Sequence, residues 1–254
     1  MDNMKTLLPN GIRLLLLSAT ILLSYGCTHV PVGEEAHDPY EETNRSFYSF
    51  NDALDKNILK PVADGYAYVT PDPVRRCVTN FFDNLGYLNT IANDLLQGKF
   101  KQCLADSGRF LVNSTVGVVG LFDVATPMGL EKHQEDLGQT LAVWGSGEGP
   151  YLTIPVMGPN TARDLPDQIT KRMLSPASYV KASIGLPLAI LDIINWRANM
   201  DSSLKIVDES PDPYLAMREF YRQNRINLIY DGDPPIPDMM DDMEDLDEDE
   251  DLFE

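Results

Sequence analysis

The sequence predicts a mostly α-helical fold with one short hairpin-like insertion. Three observations point there. Apolar residues recur at spacings of three and four through most of the chain, the signature of amphipathic helices. Asp-Pro pairs stand at Asp38-Pro39, Asp72-Pro73 and Asp212-Pro213, where a capping carboxylate and a first-turn proline suit a helix start. Only the segment Gly149 to Gly158 combines β-branched residues with turn residues at both ends, and Pro155 confines it to an edge or a very short hairpin.

Taken in order, Asp38-Pro39-Tyr40-Glu41 opens the first helix, with Phe47, Phe50, Leu54 and Ile58 as its stripe. Asp72-Pro73 opens the second, with Val74, Val78, Phe81, Leu85 and Leu88 and a break or kink expected near Gly86. Leu104, Gly108, Leu111 and Thr115 mark a third, ended by Gly117, and Leu137, Leu141 and Trp144 a fourth. Ile184 to Ile194 is the most apolar stretch outside the N-terminus and as a helix reaches roughly half a bilayer. Two readings stand for it: a buried core helix, or a helix lying in one leaflet with Trp196 and Arg197 at its water edge. Asp212-Pro213-Tyr214 opens the last helix, with Tyr214, Met217, Tyr221 and Leu228 on one side and Arg218, Arg222 and Arg225 on another. The arginines read as a solvated face, a phosphate-headgroup site, or a dock for an acidic segment of the same chain.

The N-terminus carries its own signal. Lys5 and Arg13 precede the apolar run Leu14 to Leu23, and Ser24-Tyr25-Gly26 leads to Cys27. A basic start, a short apolar stretch and small residues make a secretory signal over residues 1–26. Cys27 after Gly26 looks like a bacterial acylation site, although Ser24 stands where leucine is usual. The chain is then expected to be lipid-anchored at Cys27, with residues 27–37 as an acylated tether and Thr28 favouring outer-membrane sorting. The net charge of −19 argues against nucleic acid, whose phosphates need Lys and Arg. Eleven acidic residues and no basic ones fall between Asp238 and Glu254. Residues 233–254 therefore read as a disordered acidic tail, either solubilising or a docking arm for a basic partner. With Cys27 acylated, Cys77 and Cys103 remain, either disulfide-bonded or as two buried thiols.

Catalytic and metal constellations do not emerge. His29, His37 and His133 lack partners at metal-ligand spacing. Gly145-Ser146-Gly147 is not a nucleophile elbow, because Trp144 occupies the place of the first glycine. No cofactor motif is complete.

From residue 44 onward several motifs occur together. They are Asn44 to Asp52, Leu59-Lys60-Pro61-Val62-Ala63, Gly108 to Gly117, Gly120-Leu121-Phe122-Asp123-Val124-Ala125, Asp136-Leu137-Gly138-Gln139-Thr140 and Gly149-Pro150-Tyr151. In this order they closely resemble the VacJ/MlaA family of outer-membrane phospholipid-transport lipoproteins, over about Asp38 to Tyr230. The resemblance implies one ring- or doughnut-like domain of amphipathic helices, here residues 38–232, seated in the inner leaflet of the outer membrane beside a trimeric porin. It implies removal of phospholipid misplaced in the outer leaflet through an amphipathic channel. The lipid passes to a periplasmic lipid-carrier protein and onward to an ATP-driven inner-membrane complex, with no enzyme activity in the ring itself. It places a channel-side hairpin at Trp144 to Gly158, with Trp144, Gly145, Gly147, Gly149, Pro150 and Tyr151 as gate residues. It places Asn44, Phe47, Phe50 and Asn51 on a helix segment that influences channel opening. From the residues alone, the glycines also read as loop punctuation and Phe47 and Phe50 as core. Two other classes remain in view: a lipid-cleaving envelope enzyme using Ser146 or His133, and a structural tether using anchor and tail.

Overall fold

The computed structural model describes residues 38–235. The signal segment, the tether with Cys27, His29 and His37, and the acidic run from Asp238 lie outside the described residues. The chain is mostly helical, in the order α1 (Glu41–Leu54), a π turn (Asp55–Leu59), α2 (Lys60–Val69), α3 (Asp72–Gln97), α4 (Phe100–Thr115), α5 (Leu137–Val143), β1 (Tyr151–Ile154), β2 (Gly158–Thr161), α6 (Asp167–Leu174), α7 (Ala182–Asn199), α8 (Asp201–Asp208) and α9 (Pro213–Ile229).

Of the three Asp-Pro signals, one caps as expected. Asp212 accepts from the amides of Tyr214 and Leu215 at 3.1 and 3.2 Å. Asp38 does not cap α1. It reaches α9 instead, accepting from the Tyr214 hydroxyl and from Arg218 Nη1, and it also takes Asn44 Nδ2 of α1 at 2.8 Å. Asp72 pairs with Arg75 rather than with an amide. Helix α3 runs unbroken through Gly86 for 26 residues, about 39 Å, so the expected break is absent. It ends at Gly98, whose φ of 77° lets the chain turn back into α4.

That antiparallel hairpin also decides against the disulfide, one of the two readings of the cysteines, and of the two thiols only Cys103 is fully buried. Both cysteines are free thiols. Cys103 sits near the turn, its Sγ 3.8 Å from the Ile91 carbonyl, while Cys77 sits in the second turn of α3 at the far end. Fourteen helical steps from Cys77 to Ile91 separate the two thiols by about 20 Å, and a disulfide needs Cα atoms within about 7 Å.

Helix–helix and helix–hairpin contacts close on themselves: α1 and the π turn lead to α2, then to α7, α3, α5, α9, β2, β1 and back to α1. The interior of this circuit is polar. Among the described residues seven apolar or aromatic side chains are buried, against twenty-four polar or charged ones. Helix α3 buries Asn84, Tyr87, Asn89, Thr90, Asn93 and Asp94, and α4 buries Cys103, Asp106, Arg109 and Asn113. Much of the apolar stripe expected on α1, α3 and α4 faces outward, whereas Tyr214 of the α9 stripe is buried. Phe47, Phe50, Ile58, Val74, Leu104 and Leu111 are exposed, Leu104 at 75%. The core reading of Phe47 and Phe50 is corrected accordingly.

The turn after α4 shows the same inversion under strain. Val118 and Val119 hold φ of 56° and 60°, a region that β-branched residues rarely enter. They are held by Gly117 and Gly120, where an added Cβ meets the Phe122 carbonyl at 2.2 Å and the Asn84 side chain at 2.5 Å. The valines, with Val116 and Phe122, point outward.

Candidate functional site

Helix α7 carries the clearest case of the outward apolar face. Ile184, Leu186, Ile190, Ile193 and Trp196 are all exposed, which overturns the buried-core reading of this segment. Arg197 does not reach a water edge. It is buried, with Nε and Nη2 on the two oxygens of Asp55 at 2.7 and 2.9 Å and Nη1 on Asp201 at 3.1 Å. No helix among the described residues is long and apolar enough to cross a membrane. Water does not favour this arrangement, since each large apolar side chain gains about 1.5–3 kcal/mol on leaving it. A surface that presents its apolar face while pairing its polar groups inside suits an apolar medium.

The hairpin is antiparallel, with Tyr151 opposite Thr161 and Ile154 opposite Gly158. Its tip is Pro155-Val156-Met157. Val156 has φ of 69°, and both Val156 and Met157 are exposed. The gate residues expected between Trp144 and Tyr151 form the approach to this hairpin rather than its turn. Trp144 donates Nε1 to the Leu96 carbonyl at 3.1 Å, Gly145 and Gly149 hold positive φ of 88° and 67°, and Gly147 is buried. Pro150 donates nothing, but its carbonyl accepts from the Ala162 amide at 3.2 Å.

The free edge of β1 is occupied by two side chains of α1. Asn44 donates Nδ2 to the Tyr151 carbonyl at 3.0 Å and accepts from the Thr153 amide at 2.8 Å. Asn51 donates to the Ile154 carbonyl at 2.9 Å and accepts from the Val156 amide at 2.7 Å. The two asparagines are seven residues apart, two helical turns, so both point at the strand. Each amide copies the donor–acceptor pair of a neighbouring strand, and α1 thereby completes the sheet. The structure thus joins two sets of expected residues, Asn44 and Asn51 with Tyr151, and leaves Phe47 and Phe50 on the outer face.

Behind the hairpin, Tyr151 packs edge-on against Tyr214 and Tyr221 with ring centroids 6.2 and 6.3 Å apart. Burial pushes the Tyr151 hydroxyl up to about 12. The arginine stripe of α9 also lies here, and its exposed-face reading is corrected: Arg218, Arg222 and Arg225 are buried among carboxylates of the domain itself. Arg218 meets Asp38 at 3.3 Å and Glu219 at 3.1 Å, and Arg222 meets Glu148 at 3.6 Å. Arg225 contacts Asp136 through Nη1 at 2.5 Å and Nη2 at 2.9 Å, and Asp164 through Nη2 at 3.1 Å. Burial alone would raise the Asp136 carboxyl, but the Arg225 contacts reverse this and hold it well below the usual carboxylate range. With these partners the arginines serve as internal fasteners of the domain. Sequence reasoning missed Asp136, Asp164 and Glu148 as their partners, and nothing local in the sequence pairs them.

His133 faces an acid. Its Nδ1 lies 3.2 Å from both oxygens of Asp106. A small polar cavity of about 20 Å³, lined by Asn84, Tyr87, Arg109 and Asp123 among others, has room for a water and not for a lipid.

Comparison with known proteins bears on this architecture. The MlaA lipoprotein family matches residues 36–227. A protein of Escherichia coli K12 named intermembrane phospholipid transport system lipoprotein MlaA is 30% identical over 247 residues, covering 93% of this chain and 98% of that protein. An uncharacterized protein of Rickettsia typhi is 37% identical over 195 residues, 75% of this chain and 77% of the relative. A chain solved in work on the structural basis for maintenance of bacterial outer membrane lipid asymmetry superposes with a TM-score of 0.68. It is 31% identical and covers 76% of this chain and 98% of that one.

Proposed function

From the premise that this chain belongs to the MlaA lipoprotein family, given by the match over residues 36–227, we propose that it transports phospholipid between membranes of the cell envelope and maintains outer-membrane lipid asymmetry. The observation that carries this reading is the inverted domain, apolar outside and polar within. A phospholipid carries about 30 methylenes at roughly 0.8 kcal/mol each, so passage through water costs on the order of 25 kcal/mol. Its headgroup meets a comparable obstacle in hydrocarbon. A passage with one apolar and one polar wall removes both costs. The closed circuit of elements is the scaffold for such a passage, and the clamped hairpin, with its approach from Trp144 to Tyr151, is its gate.

Residues 1–26 are the signal, Cys27 is the acylated anchor, residues 27–37 are the tether, residues 38–232 the helical domain and residues 233–254 the acidic tail. The domain sits in the inner leaflet of the outer membrane, on its periplasmic side, next to a trimeric porin, and hands lipid to a soluble periplasmic carrier without chemical change to it. Deleting the gene in its host is expected to raise the phospholipid reached by an impermeant amine-reactive label at the cell surface. An unchanged outer leaflet overturns the reading.

A second expected result concerns the outer face. Ile190→Asp on α7 places a charge where hydrocarbon is expected, at a cost of about 3 kcal/mol. In a chain whose anchor is removed by Cys27→Ser, flotation with phospholipid vesicles is expected to fall roughly 100-fold. Equal flotation of both proteins places α7 away from lipid.

A further inference from the structure

Between α3, α4 and the loop before α5 lies a group of acids that transport does not use. Asp94 and Asp106 are completely buried and near enough that the charge of Asp106 acts on the Asp94 carboxyl. On the other side Asp106 meets His133 Nδ1. Buried Glu135 of the same loop accepts from Lys99 Nζ and Gln97 Nε2 at 2.7 Å each and from Gln102 Nε2 at 3.0 Å. The protein supplies no donor to either oxygen of Asp94. Two ionised carboxylates repel each other, and an unpaired buried charge is costly. One proton supplies the missing donor.

We propose that Asp94 and Asp106 share a single proton and form a pH-responsive latch that fastens the His133–Asp136 loop to the α3–α4 hairpin. The latch reaches further than the loop, since Asp136 is the residue that Arg225 of α9 grips. The charged and titratable groups around the pair are Lys99 at the turn into α4, Arg109 on α4, and His133 and Glu135 on the loop. Arg109 is committed to Asp123, and Lys99 is shared between Glu135 and Asp231. Helix α5 presents the neutral Gln139 and Thr140, and on α6 Asp167 and Lys171 pair with each other at 2.6 Å. Burial first, then the charge of Asp106, lifts the Asp94 carboxyl to about 7. A folded-state value above the unfolded one means that the folded protein binds the extra proton, so stability is lost as pH rises toward and through neutrality. The latch is closed in mild acid and loosened in mild alkali.

Asp94→Asn and Asp106→Asn test this, since either amide provides the donor permanently. In the full chain in detergent, the wild-type Tm is expected to fall by roughly 3–6 °C between about pH 6 and about pH 8.5 relative to the variants, whose difference across this interval vanishes. Infrared spectra at about pH 6 are expected to show a protonated-carboxyl band that Asp94→Asn removes. The spectra keep the proposal testable should a variant fail to fold. Superimposable pH profiles, or absence of that band, overturn it. So does a rise in wild-type Tm at about pH 8.5 on adding millimolar calcium or magnesium that Asp94→Asn lacks, because a cation then occupies the place given to the proton.

Discussion

Arg225→Met is expected to destabilise the domain by about 3–5 kcal/mol, the range for removing one partner of a buried ion pair. Methionine preserves much of the volume, so the loss is electrostatic. Arg225 is buried against both Asp136 and Asp164, and those carboxylates are themselves buried, so the variant leaves two acids with little compensation. Lys171, 4.0 Å from Asp136, and Arg163, 3.1 Å from Asp164, are the nearest remaining cations. The pH dependence reverses with it. In the wild type both carboxyls are held below their ordinary value, so the stability they contribute is fully present above about pH 4 and lost only as pH falls through their lowered values. In Arg225→Met the same carboxyls rise, and the variant is expected to regain stability on mild acidification while the wild type does not. Chemical denaturation at about pH 5 and about pH 7.5 reads both effects. A loss below about 1 kcal/mol with no change of pH slope assigns Arg225 to the surface. Gly138→Ala is expected to act at the same place, since its Cβ meets Asp164 Oδ1 at 2.2 Å and Arg225 Nη2 at 2.7 Å.

The second large effect is expected at the α1–β1 clamp. Asn44→Leu keeps the side-chain size and deletes both halves of the amide. It strands the buried Thr153 amide and the Tyr151 carbonyl, at about 1–3 kcal/mol for each unsatisfied group. Asn51→Leu works at the more exposed tip, where water can replace the lost bonds, and is expected to cost about 1 kcal/mol. Hydrogen exchange separates the two. In Asn51→Leu the Val156 amide is expected to lose protection roughly tenfold or less while Thr153 is unchanged; in Asn44→Leu Thr153 loses protection as well. If the hairpin gates lipid passage, Asn51→Leu alters surface phospholipid in the host without lowering the amount of folded protein. Unchanged exchange at Val156 shows that the clamp does not hold the tip.

Much of the helical framework was legible because its signals are local. Stripes at three and four and the Asp212 cap depend on neighbours within one turn. The single hairpin was legible from Gly149 to Gly158 for the same reason. The facing of the stripes was not, because periodicity divides a helix into an apolar and a polar side without saying which side meets solvent. In α4, Leu104 and Leu111 were visible as one face, but only the packing shows that Asp106 and Arg109 form the inside. The arginines at 218, 222 and 225 were visible as a stripe, whereas their partners at 38, 148, 136 and 164 are brought near by the tertiary circuit. Asn44 and Asn51 were singled out by family resemblance. Their strand-like role follows from seven-residue spacing meeting an unpaired sheet edge, and that edge exists only once the hairpin is folded.

The circuit of contacts also dictates an order of assembly. Its closing seam joins α9, near the end of the described residues, to α5 and β2, so an emerging chain remains an open arc until that last helix arrives. Throughout that interval Asp38, Asp136, Glu148 and Asp164 lack the arginines of α9, and the apolar outer faces already stand open. A chain cut short before residue 213 lacks this seam altogether. Closure of this domain therefore waits on its C-terminal helix, which must be complete before the circuit can shut.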